Sequence, residues 1–127
     1  MVEYDFSGQV AFVTGAAHGQ GRSHAQHYAR HGADVVAVDL NHNKDTVPYD
    51  LGTADELAET ASLVADEGQA ALTVEADVSE ESEVEAAVEA AIDEFGKVDV
   101  LANNAGIESI AEATELDEQM WDELIDT

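Results

Sequence analysis

The chain has 127 residues, which suits one domain, and its 45% hydrophobic content supports a packed core and not a disordered tail. Twenty-nine acidic residues face four basic ones, Arg22, Arg30, Lys44 and Lys97, for a formal net charge of −25; such a surface repels nucleic-acid phosphates and anionic membranes and argues against both as partners. Cysteine is absent, which excludes disulfides, thiol nucleophiles and thiolate metal sites.

The elements follow in chain order. Val10 to Val13 is an apolar run that ends in a glycine-rich turn, so a buried strand is expected at about 9–14. A helix is expected from Gly21 to His31, closed by Gly32, and a second buried strand at 34–39 ends on Asp39. Leu40 to Gly52 carries Asn41, Asn43 and Pro48 and reads as a long loop. Thr53 and Glu56 have the spacing of a capping box, opening a helix to about Asp66 that stops at Gly68. A third strand is expected at 70–76. Ser79 then caps a helix with Val84, Ala87, Val88, Ala91, Ile92 and Phe95 on its apolar face, ending at Gly96. The fourth strand falls at about 98–103, and Thr114 with Asp117 opens a last helix that is still running at Thr127. Strand and helix alternate four times, and the strands are short and wholly apolar. That pattern predicts an α/β fold with a parallel sheet covered by helices on both faces.

The acids are spread through helical segments such as Ser79 to Phe95, so they form a solvated surface. Their mutual repulsion destabilises the compact state unless salt screens it, which leads us to expect a halophilic protein in a salt-rich cytoplasm. No basic segment followed by an apolar run opens the chain, and no stretch approaches a membrane span in length, so a soluble cytoplasmic protein is expected.

The segment Thr14-Gly15-Ala16-Ala17-His18-Gly19-Gln20-Gly21 carries the most chemistry. Gly15 permits a tight turn after the strand, Gly19 lets backbone approach a pyrophosphate, and Gly21 lets the next helix pack closely on the strand. The free N–H groups and positive end of that helix then face phosphate oxygens. Asp39 stands 18 residues beyond Gly21 at the end of the next strand, where its carboxylate can accept from both adenosine ribose hydroxyls. The same charge repels a 2′-phosphate, so NAD is favoured over NADP. A lysine of the kind found in nucleotide-hydrolase loops is missing, which argues against ATP or GTP. This is a Rossmann-type dinucleotide site, and Ala17, His18, Gln20 and Leu40 complete its expected lining.

With these residues, Asp77-Val78 after the third strand and Asn103-Asn104-Ala105-Gly106 after the fourth, the chain resembles the short-chain dehydrogenase/reductase family. The resemblance implies that Asp77 and Val78 lie beside the adenine ring. It also implies that Asn103, Asn104, Ala105 and Gly106 line the cofactor cleft and steady the central sheet. Gly19 to Ala25, with Asp45 to Tyr49 and Ala54 to Thr60, is similar to the carveol dehydrogenase-like, mycofactocin-associated subgroup. Members carry an insertion after the second strand, which implies that residues 40–52 form a flap over the adenosine end of NAD. His18 occupies a place where NADP-using members often carry a basic residue, but Asp39 outweighs a neutral imidazole.

The family's chemistry needs a serine and a tyrosine with a lysine four residues later. Here Tyr4, Tyr28 and Tyr49 are followed at that spacing by Gly8, Gly32 and Thr53, so no catalytic residue is assigned. The expectation is therefore the NAD(H)-binding half of a Rossmann fold, truncated after the fourth strand and following helix. The complete protein would interconvert an alcohol with a ketone or aldehyde, as a homo-oligomer. The alternative is a non-catalytic cofactor-binding or assembly module, from a truncated or split gene. His24, His27 and His31 share one helix face, read as solvated histidines and not a metal site. Trp121, Leu124 and Ile125 are expected in the core or at a subunit interface.

Overall fold

A computed structural model describes all 127 residues. Its elements are β1 (Val10–Thr14), α1 (Gly19–Arg30), β2 (Asp34–Asp39), α2 (Ala54–Asp66), β3 (Ala71–Glu75), α3 (Glu81–Phe95), β4 (Val100–Ala102) and α4 (Glu118–Asp126). The four strands form one parallel sheet in the order β3-β2-β1-β4, the sequence of neighbours that opens a doubly wound Rossmann sheet.

Alternation along each strand sorts side chains to two faces. Val13, Val35 and Ala37 face α1 and α2, where they pack with Ala25, Ala29, Leu57 and Val64. Val10, Phe12, Val36 and Val38 face α3, where they meet Ala87 and Ala91. The two central strands are buried on both faces, which is why their sequences are unbroken apolar runs. α3 is covered less completely: Val88 and Ile92 remain exposed, as does Leu101 on the edge strand β4.

Several boundaries differ from the sequence reading. α1 begins at Gly19, two residues early, and β4 is confined to Val100–Ala102 because only these residues pair with β1. Ser79 does not cap α3; Glu80 takes that position, and the Ser79 hydroxyl donates to Asp77 instead. The last helix starts at Glu118, capped by the Asp117 carboxylate, which accepts from the Met120 N–H at 2.8 Å, while Thr114 lies in a preceding turn. The Thr53 cap forms as expected, accepting from the Glu56 N–H at 3.2 Å. Trp121 and Ile125 are exposed, so within this chain they are not core. No helix is long and apolar enough to cross a membrane.

Candidate functional site

The carboxyl ends of β1 and β2 open into a cleft of about 350 Å³, the place where parallel α/β sheets present ligand sites. Its floor is the glycine turn. Gly15 has φ of +67°, which β-carbon-bearing residues rarely adopt, and a Cβ there would also lie 2.9 Å from Asn104 Nδ2. A Cβ on Gly21 would lie 1.9 Å from the Gly15 carbonyl oxygen, so α1 can approach β1 this closely only with glycine there. Around Gly19 the space is open, with no atom within 4 Å of a built Cβ. The N–H groups of Gly19, Gln20 and Gly21, in the first turn of α1, have no acceptor within the chain. They are helix-terminal donors at a positive dipole end, beside open space.

The turn is held from two sides. Asp39 Oδ2 accepts from the Ala17 N–H at 2.9 Å, and its Oδ1 accepts from the Leu40 N–H at 2.7 Å. On the other side Arg22 Nη2 donates to the carbonyls of Ala17 at 2.7 Å and Glu56 at 2.8 Å, while Nε reaches Thr60 Oγ1 at 3.1 Å. The fully buried Thr60 hydroxyl donates to the Ala16 carbonyl at 2.7 Å. Arg22 of α1 and Thr60 of α2 thus brace the backbone of the turn against α2. A third clamp comes from β4: Asn104 Nδ2 donates to the Thr14 and Gly15 carbonyls at 3.2 and 3.3 Å, and Thr14 Oγ1 accepts from the Ala105 N–H at 3.0 Å.

Of the residues singled out in the sequence, Gly15, His18, Gly19, Gln20, Asp39, Leu40, Asp77, Val78, Ala105 and Gly106 line the cleft together. Ala17 and Gly21 are buried just behind it. Asn103 is placed differently from its neighbours: it lines an adjoining apolar groove with Val84, Val88 and Leu101, while Asn104 lines the cleft. The histidines of α1 do not converge: His27 Nδ1 lies 2.7 Å from the Ser23 carbonyl and His31 Nδ1 lies 3.1 Å from that of Tyr4.

Lys44, Leu51 and Ile107 also line the cleft and were missed. Lys44 and Leu51 belong to the loop 40–52, which folds back over the rim. Within it Asn43 Oδ1 accepts from the Leu51 N–H at 2.8 Å, and Asn43 Nδ2 donates to Asp50 at 3.1 Å. At its outer edge the Thr46 carbonyl accepts from Ser109 Oγ at 2.7 Å, Tyr49 Oη accepts from the Glu108 N–H at 2.9 Å, and the Thr46 hydroxyl donates to Glu123. Lys44 Nζ sits 3.0 Å from Asp77 Oδ2, with both side chains largely buried. Burial pushes the Asp77 carboxyl up, but the Ser79 hydroxyl and amide together with the Lys44 ammonium outweigh it and hold the group below its ordinary value.

Free helix-terminal N–H groups, a glycine-walled space and a carboxylate on the neighbouring strand fit a diphosphate followed by a ribose. The family model described as short chain dehydrogenase matches residues 9–127. The chain is 42% identical over 120 residues to the (−)-trans-carveol dehydrogenase of Rhodococcus erythropolis, covering 94% of this chain and 43% of that protein. Its fold superposes with a TM-score of 0.90 on carveol dehydrogenase from Mycobacterium avium in complex with NAD, at 36% identity, over 94% of this chain and 44% of that one. A short-chain dehydrogenase from Mycobacterium paratuberculosis bound to NAD gives a TM-score of 0.92 at 32% identity, over 96% and 45% of the two chains. The chain thus spans about two-fifths of the length of the curated relatives it matches. It belongs to the short-chain dehydrogenase family and is carveol dehydrogenase-like.

Proposed function

We propose that this chain binds NAD(H) and serves as the cofactor-holding part of an enzyme that interconverts a small alcohol with its ketone or aldehyde. The observation that carries the reading is the pair of unpaired N–H groups at Gly19 and Gln20, which line a glycine-walled space beside Asp39, with the unpaired N–H of Gly21 just behind. In this proposal the α1 terminus holds the pyrophosphate and Asp39 accepts from the ribose hydroxyls, its free lone pairs adding to those used by Ala17 and Leu40. Leu40, Val78 and Ile107 supply apolar walls for the adenosine end, and Asp77 stands at the adenine corner. Bound NAD would supply the hydride acceptor. We assign no proton-transferring residue among the 127, since no tyrosine here is followed by lysine at the required spacing.

Calorimetry of the purified chain in molar salt tests the reading. Micromolar or tighter binding of NAD with little for NADP is expected, and Asp39→Ala is expected to cost about 1–3 kcal/mol of NAD affinity for loss of charge-assisted hydrogen bonds. A folded chain that binds neither dinucleotide would end the proposal. We further propose that the net charge of −25 suits a salt-rich cytoplasm; the thermal midpoint is expected to rise from low to molar salt, and a flat response would sink that idea. Self-association is proposed on the exposed Val88, Ile92, Leu101 and Trp121, to be read by sedimentation. An assembly module without cofactor is the weaker alternative, because it leaves the unpaired donors at Gly19 to Gly21 without a purpose.

A further inference from the structure

We propose that Lys44 is a specificity-determining residue of the adenosine corner, neutralised by Asp77 so that it offers no charge to a 2′-phosphate. The proposal rests on the dinucleotide reading above and extends it to a residue of the 40–52 loop.

All four basic side chains of this chain are paired: Arg22 with Glu59, Arg30 with Glu67, Lys97 with Asp99, and Lys44 with Asp77. Lys44 alone among them lines the cleft. It shares that cleft with Asp39, whose own partners are the backbone N–H groups of Ala17 and Leu40 and no cation. Asp39 ends β2 opposite Glu75, the last residue of β3, and Asp77 follows Glu75 by two residues, so the two carboxylates stand at one rim, at the end of β2 and just beyond the end of β3. Lys44 is returned to this rim by the loop that begins at Leu40. The ammonium and Asp77 are 3.0 Å apart, with 12% and 16% of their side chains exposed, so salt screens this pair less than a surface one.

Asp77 is fully committed, since its Oδ1 accepts from the Ser79 N–H at 2.9 Å and the Ser79 hydroxyl at 2.6 Å. Glu80, Glu118, Asp122, Glu123 and Asp126 share a neighbouring acidic pocket with Lys44 and Asp77, but none of them forms an ion pair with the ammonium, and Glu123 is engaged by Thr46 and Gln119. Removing the Asp77 charge leaves the ammonium, in the cleft it shares with Asp39, without its one ion-pair partner. Lysine is a point-charge ligand for phosphate, and the 2′-phosphate of NADP is the anion such a group would take. Discrimination against NADP thus has two parts: repulsion by Asp39, and sequestration of the one cation that could offset it.

The experiment is calorimetry of NAD and NADP binding to the chain, in molar potassium chloride with far-ultraviolet circular dichroism on each protein. The proteins are wild type, Asp39→Asn, Asp77→Asn, the double variant, and the double variant with Lys44→Gln; asparagine at 39 keeps an acceptor for the turn. The double variant is expected to gain NADP affinity at least tenfold beyond the product of the single changes, and Lys44→Gln is expected to abolish the excess. Additive single changes, or a gain that survives Lys44→Gln, would overturn the proposal. Should the double variant lose its fold, Asp77→Asn with Asp39 intact decides: it is expected to gain NADP affinity that Lys44→Gln abolishes, and no gain, or a gain that survives Lys44→Gln, overturns the proposal. A folded wild type that binds NAD keeps the dinucleotide reading whichever way Lys44 falls; one that binds neither cofactor removes both.

Discussion

The two faces of the sheet are built to different standards. On the α1/α2 side, nine buried residues close around β1 and β2, and Arg22 and Thr60 tie α2 to the glycine turn. On the α3 side seven buried residues suffice, Val88 and Ile92 are left exposed, and an apolar groove runs past Leu101 to Asn103. The polar brace and the candidate ligand site thus belong to the closed face and its rim. A site that must hold donors in fixed positions is built where packing leaves the backbone few alternatives.

The largest break in this contrast is Gly21→Ala. Its Cβ would collide with the Gly15 carbonyl, and since backbone meets backbone no rotamer relieves it. We expect a loss of about 3 kcal/mol in denaturant unfolding, at the upper end for overpacking, with dinucleotide binding abolished. A paired truncation then separates the faces. Leu57→Ala, on the closed side at 3% exposure, is expected to cost about 3 kcal/mol, and Ile92→Ala, on the open side at 44% exposure, less than about 1 kcal/mol. Equal costs would mean that the groove face is covered in solution. The smallest effect is in pH. Asp77 titrates below its ordinary value of 3.8 in the folded chain, so the unfolded state takes up its proton first as pH falls. Its contribution is present above that value and is lost as pH drops through the folded one, so thermal midpoints of wild type should fall more steeply than those of Asp77→Asn between about pH 5 and about pH 3.

Local rules made most of this fold legible. Apolar runs ending in Gly15 and Asp39 marked the two central strands, and the Thr53–Glu56 spacing marked the start of α2, because each depends on residues a few positions apart. The glycine turn was legible for the same reason. The contacts that shape the cleft rim were not. Lys44 and Asp77 are 33 positions apart and meet only because a loop without regular structure folds back, which no periodicity encodes. Arg22, one of only four cations, has no role that local spacing assigns, yet it serves the turn and α2. Ser79 has the composition of a helix cap, but Asp77 two residues earlier competes for its hydroxyl and wins. Asn103 and Asn104 are chemically identical neighbours, and only the end of β4 decides which faces the cleft.

Ala17 has its N–H held by Asp39 and its carbonyl, in the next peptide group, held by Arg22. The carboxylate proposed to choose the cofactor is therefore also a rivet in the frame that carries it. Lineages that change cofactor preference by replacing this acid would loosen the pyrophosphate turn in the same step. A replacement that keeps an acceptor, such as asparagine, or one made where another group takes the Ala17 N–H, would leave that frame standing.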